Sequence, residues 1–142
     1  MPMILTLAHA ETIVDAALAH GATTGCAPLT VAVLDAGGHL VALKRQDDSG
    51  ILRAEIAFGK AWGALGMGLP SRLIADKNPT FLAAITVASG GRLVPVPGGV
   101  LIRDPESARI IGAVGISGDA SAKDEAAAAA GITAAGLTAD TG

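Results

Sequence analysis

A chain of 142 residues, 51% of them hydrophobic, has the length of one domain and enough apolar content for one core. Thirteen Asp and Glu against ten scattered Lys and Arg give a net charge of -3, so no nucleic-acid partner is expected, because phosphate binding needs a basic patch. A single cysteine excludes an internal disulfide and a zinc-type cysteine cluster.

The opening Met-Pro-Met-Ile-Leu-Thr-Leu lacks the basic segment and long apolar stretch of a signal peptide. No run is long or apolar enough for a membrane span, so a cytoplasmic protein with no membrane partner is expected. With no Tyr, two Phe and one Trp, the core falls to Leu, Ile, Val and Ala. Thr6 is placed to cap a helix over residues 7 to about 20. Leu7, Ala10, Val14 and Leu18 recur at helical spacing and are expected to face the core. His9, Ile13, Ala16 and His20 form a second file, whose two histidines are expected at solvent or an interface. His9 and His20 lie about three turns apart, so one metal ion cannot take both. Gly21 suits the helix end, and Cys26, in the small-residue loop beyond it, reads as a small buried residue rather than a nucleophile.

Leu29 to Arg45 is the most informative stretch. Two apolar, β-branched runs flank Ala36-Gly37-Gly38, the pattern of a hairpin. Asp35 can accept hydrogen bonds from the N–H groups just beyond it. Val31, Val33 and Asp35 share one face; Thr30, Ala32 and Leu34 share the other. Both faces are apolar or small, so both are expected to be covered. After a polar turn over residues 46–50, with Asp47 or Ser49 as cap, a helix is expected from Ile51 to about Gly68. Its apolar stripe is Ile51, Ala54, Phe58, Ala61 and Leu65. Gly59, Gly63 and Gly66 form a second stripe. A helical glycine costs about 1 kcal/mol against alanine. The stripe therefore points to close approach by a sheet, a neighbouring helix or a flat ligand. Trp62 and Met67 lie off it, in the core or at an interface.

Pro70 ends that helix. A short helix over residues 72–76 comes next, then another from Pro79 through Ile85. Arg92 to Pro97 carries two prolines and is expected as an edge strand or a bulged loop entering a strand at Val100–Arg103. Ala108 to Ser117 reads as a strand that Gly118 ends. Asp119 or Ser121 caps a last helix through residues 126–130, with Ser121-Ala-Lys-Asp124 resembling a capping box. Gly131 and Gly136 weaken its continuation, and the tail is expected to fray. The order is α-β-β-α-α-β-β-β-α, in one domain over residues 1–142 whose core covers about 7–130.

The paired glycines at 37–38, 90–91 and 98–99 match neither G-x-x-x-x-G-K-[ST] nor G-x-G-x-x-G, and no serine sits in G-x-S-x-G. Lys44, Arg45, Arg53, Glu55 and Lys60 gather at the hairpin end and in the helix after it. Arg53 and Lys60 are two turns apart on one helix face, which is either solvated charge or a cradle for carboxylates. Asp47, Asp48 and Glu55 read as solubilising charge; no metal site is expected.

Four blocks carry a resemblance: Val33-Leu-Asp-Ala-Gly-Gly-His-Leu-Val-Ala-Leu-Lys-Arg45, Lys60-Ala61, Pro97-Gly-Gly-Val-Leu-Ile102 and Ile111-Gly-Ala-Val-Gly-Ile-Ser-Gly118. Together they resemble the GlcG/HbpS haem-binding family, which includes the C-terminal domain of PduO-type corrinoid adenosyltransferases. The resemblance runs from Leu7 to Ala130. It implies a profilin-like α+β domain of three layers, α/β/α, with a five-stranded antiparallel sheet. It also implies homo-oligomers, often tetramers or octamers, and haem or corrinoid binding in sensing or accessory catabolic roles. Some members take an axial haem ligand from a histidine near the start, for which His9 is the candidate here.

The leading reading is an oligomeric binding protein for haem, another tetrapyrrole or a flat acidic small molecule. Its pocket would lie where Pro97-Gly98-Gly99, the helix bearing Arg53 and Lys60, and a neighbouring subunit meet. Arg53 and Lys60 would neutralise acid groups, glycine amides would contact the ligand, and His9 would ligate haem iron. The alternative is a cofactor-independent catabolic enzyme for a small carboxylated or carbonyl substrate. There Glu55 or Asp35 would be a general base and Arg45 or Lys60 an electrophilic clamp. A purely structural assembly partner is the third reading.

Overall fold

The computed structural model describes residues 2–142. The hairpin forms as its sequence requires: β1 (Thr30–Asp35) pairs antiparallel with β2 (Leu40–Arg45) across the Gly-Gly turn. A second hairpin joins β3 (Gly99–Arg103) to β4 (Ile110–Ser117). β1 and β4 pair along their lengths, and β5 (Thr138–Asp140) adds to the outer edge of β3. The result is one five-stranded antiparallel sheet in the order β2-β1-β4-β3-β5.

Strict alternation in β1 sends its side chains to two cores. Val31 and Val33 join Val100, Ile102, Val114 and Ile116 beneath α1 (Leu7–Thr23) and α5 (Ser121–Ala134). Leu34 joins Leu101 and Ala113 on the other face, beneath Ala61 and Ala64 of α2 (Arg53–Met67). The sheet is thus the middle layer of an α/β/α stack. The second core is thin because α2 lies almost on the sheet. A Cβ on Gly115 would collide with the Ala57 carbonyl, so only glycine permits that approach. α3 (Ser71–Ile74) and α4 (Pro79–Ala88) lie between α2 and β3 in the chain.

Several expectations need correction. Of the two forms expected for residues 92–97, the loop entering a strand is the one found; the prolines keep this segment out of the ladder. The fifth strand is β5. The tail does not fray, because α5 runs through Gly131 and a left-handed Gly136 turns the chain back onto β3. In α1, Leu7 is exposed in the first turn and Ile13 is fully buried, so the core face is Ala10, Ile13, Val14 and Ala17. α2 starts at Arg53 with no side-chain cap, leaving Ile51 and Leu52 exposed, while Ser49 turns inward to share a 2.6 Å hydrogen bond with Thr30. Cys26 is only half-buried.

The close approach expected along the α2 glycines is made by the chain itself. Val94 N–H donates to the Gly59 carbonyl at 3.2 Å, and Leu93 packs over Gly63. Gly66 faces open space. Trp62 packs against the second core with the Arg92 guanidinium 4.1 Å from its ring centre. α4 has a different character: none of its residues is buried, Val87 is 81% exposed, and no charged side chain occurs between Lys77 and Arg92.

Candidate functional site

The residues singled out from the sequence fall at opposite ends of the sheet. Register pairs Thr30 with both Arg45 and Ser117, so Arg45, Ser117 and their neighbours share one end. Arg53 reaches that end and donates from Nη1 to Ser117 Oγ at 3.0 Å. Arg45 donates from Nη2 to the Ser49 carbonyl. Glu55 is exposed in the first turn of α2, where a carboxylate complements the positive end of the helix dipole.

Lys60 reaches the same end, with its side chain turned inward. Its side chain is 2% exposed, and Nζ donates to the Ile116 carbonyl at 2.8 Å and to Asp124 Oδ2 at 3.2 Å. Asp124, 1% exposed, accepts the Asp119 N–H on its other oxygen at 3.0 Å. The lysine therefore runs from α2 past the end of the sheet to the first turn of α5, an ion pair sealed from water. Burial pulls the Lys60 pKa below its ordinary value, and the Asp124 charge opposes that pull. Gly98 and Gly99 pack against this pair. Gly98 takes φ +124, and a Cβ there would lie 2.7 Å from Lys60 Nζ. Gly99 N–H donates to Ser71 Oγ at 2.7 Å. Pro97 is half-buried in the loop before them. Within this chain the space among Arg53, Lys60 and residues 97–99 is thus occupied by the Lys60 side chain and its ion pair. A hollow of about 530 Å³ beside Arg45 is lined by Cys26, Pro28, Gln46 and Asp47 and includes neither Arg53 nor Glu55.

The other end of the sheet carries the more apolar concavity. Asp35 pairs with Gly112 there, and the five residue steps from Gly112 to Ser117 span about 17 Å. A crevice of about 440 Å³ opens between the hairpin turn, the segment before α1 and the start of β4. Met3, Ile4, Leu5, Ala36 and Ile110 give it apolar walls. Asp35, His39 and Arg109 are its polar groups. Asp35 Oδ1 accepts the N–H groups of Gly37 and His39, each at 3.0 Å, and lies 3.2 Å from His39 Nδ1.

His9 lies at the start of α1, outside the lining of the crevice. Its Nδ1 accepts the Thr6 N–H at 3.2 Å while its own N–H donates to Thr6 Oγ1 at 3.0 Å, a capping box with histidine in the glutamate position. Sequence reasoning passed over His39 and Arg109. The available signal was the spacing Asp35-Ala-Gly-Gly-His39: a turn with the carboxylate at its start brings the histidine back beside it.

Asp104 and Asp119 are the carboxylates held below their ordinary pKa. Backbone N–H donation from Glu106 does so for Asp104, and from Ala27 for Asp119. Both brace turns. Among the described residues no group of three or more His, Cys, Asp or Glu converges, and no helix is long and apolar enough to cross a membrane.

A family described as haem degrading protein HbpS-like matches residues 5–133. Among solved structures, that of a PduOC:heme complex is 24% identical with a TM-score of 0.87, covering 97% of this chain and 99% of that one. Klebsiella pneumoniae protein ORFY is 23% identical, TM-score 0.84, over 96% of this chain and 94% of its own. HbpS is 25% identical, TM-score 0.78, over 94% and 88%. Among curated protein sequences none matches this chain.

Proposed function

This chain belongs to the HbpS-like family, and from that premise we propose that it binds haem or a related tetrapyrrole as a homo-oligomer, in an accessory or sensing role. The observation that carries the reading is the crevice at the hairpin end. Its volume falls within the roughly 300–1,000 Å³ of small-molecule pockets, its walls are aliphatic, and one imidazole and one guanidinium sit among them. Aliphatic walls suit a porphyrin face, and a guanidinium suits a propionate. Haem, when bound, supplies an iron centre whose redox chemistry belongs to the cofactor.

Titrating hemin into the apo-protein tests this. A sharp Soret band that grows to saturation is expected. The only tryptophan, Trp62, lies against Gly38 of the same turn, so its fluorescence should be quenched in parallel. A broad, unsaturable absorbance like that of hemin in buffer would end the reading.

Self-association is supported by α4. A ten-residue helix with no buried residue and no charge cannot form its own core, and on a monomer it would leave apolar surface in water. A second copy covers it in this reading. Its lack of charge avoids the like-charge repulsion that two chains of net charge -3 would otherwise bring together. Sedimentation velocity should give a species larger than a monomer, and Phe81→Asp with Val87→Asp should reduce it to monomers with unchanged circular dichroism. A wild-type monomer at micromolar concentration would defeat this part of the proposal.

A further inference from the structure

The crevice holds one imidazole, and the groups around that imidazole decide what it can do. Resting on the tetrapyrrole reading above, we infer that His39 is the axial ligand and that Asp35 is a positioning residue that fixes His39 in the ligating tautomer.

An ionised carboxylate can only accept hydrogen bonds. With Asp35 Oδ1 3.2 Å from Nδ1, the proton of the neutral imidazole belongs on Nδ1. That leaves the Nε2 lone pair free. The same arrangement, a carboxylate behind the far nitrogen, orients ligating histidines and raises their basicity at metal sites. Asp35 is itself held still: its Oδ1 also accepts the N–H groups of Gly37 and His39. The ring is accessible, with the His39 side chain 80% exposed at the crevice. A porphyrin brings four nitrogens of its own, so one protein ligand suffices and no cluster of ligating side chains is required.

His9 is wired the opposite way. Its Nδ1 accepts the Thr6 N–H, so in the neutral ring the proton belongs on Nε2 and neither nitrogen has a free lone pair. Ligation by His9 would cost the helix cap. The two histidines are thus sorted by their neighbours before any ligand arrives.

Two measurements test the assignment. In the apo-protein, imidazole 15N shifts should place the His39 proton on Nδ1 and the His9 proton on Nε2; His39 protonated on Nε2 would overturn the inference without any hemin present. In hemin titrations, His39→Ala should weaken binding at least tenfold and move the Soret band. Asp35→Asn, whose amide oxygen can keep the turn and the Nδ1–H contact but not the charge that raises the basicity of the ring, should cost about 10- to 100-fold in affinity with the fold intact. His9→Ala should leave the spectrum unchanged. If wild type and His39→Ala give the same band and affinity, the ligand assignment falls while tetrapyrrole binding stands. If wild type shows no saturable band, the binding reading itself falls, and the assignment with it.

Discussion

Lys60→Met is expected to destabilise the protein by about 3–5 kcal/mol, the typical cost of leaving a buried charge without its partner. Asp124 would remain buried facing an apolar side chain, and the Ile116 carbonyl would lose its donor. At about 3–4 °C per kcal/mol for a chain of this size, the thermal midpoint should fall by roughly 10–20 °C. Asp124→Leu should do comparable damage by orphaning the ammonium. The double variant is the informative one. Replacing a buried pair wholesale by apolar residues is often close to neutral, so it should recover much of the loss, and the cycle should report strong coupling. Alkaline pH gives a second check. The Lys60 pKa is lowered by folding, so the unfolded chain holds that proton more tightly. Stability on its account therefore rises as pH climbs through the window below 10.5, a gain that Lys60→Met should abolish. A single Lys60→Met variant within about 1 kcal/mol of wild type would mean that the pair is not formed in solution.

Gly115→Ala should be worse. The added methyl would collide with the Ala57 carbonyl and lie 3.0 Å from the Ala61 nitrogen, and neither backbone atom can swing aside as a side chain would. Relief requires lifting α2 off the sheet along the whole second core. A cost above about 4 kcal/mol is expected, beyond ordinary overpacking, with little or no folded protein recovered. Gly66→Ala is the control. That glycine sits in the same helix with open space around it, so the same methyl should stabilise by about 1 kcal/mol through helix propensity. Soluble yield and thermal midpoints of the two variants decide the matter; equal behaviour would show that α2 does not ride on the sheet at Gly115.

The layered fold was legible because its central strands announce themselves. Thr30 to Asp35 carries small or apolar residues on both faces, and a strand written that way must be covered twice. The helix over Gly59 and Gly63 signalled close contact, although the approaching body is the chain's own residues 92–94. β5 was not legible: Thr138-Ala-Asp140 is three residues long with no β-branched run, and it is a strand only because the outer edge of β3 lies beside it. The position of Lys60 was hidden for a related reason. A lysine in an amphipathic helix reads as surface charge unless its partner is known, and Asp124 lies on the far side of the sheet, reached only once α5 docks. Asp124 itself looked like part of a cap. The crevice was hard to see because its walls come from three segments far apart in the chain. Only Asp35 and His39 are near neighbours, and their relation depends on how tightly the turn between them closes.

The junction of β1 with β4 has a kinetic consequence. It joins Thr30 to Ser117 and Asp35 to Gly112, pairs roughly eighty residues apart, while each of its flanks is a local hairpin. Local hairpins close in microseconds, whereas bringing distant halves together spends loop entropy before any contact repays it. The two halves should therefore zip separately and meet late, which puts the folding barrier at this junction and gives refolding in milliseconds to seconds rather than microseconds.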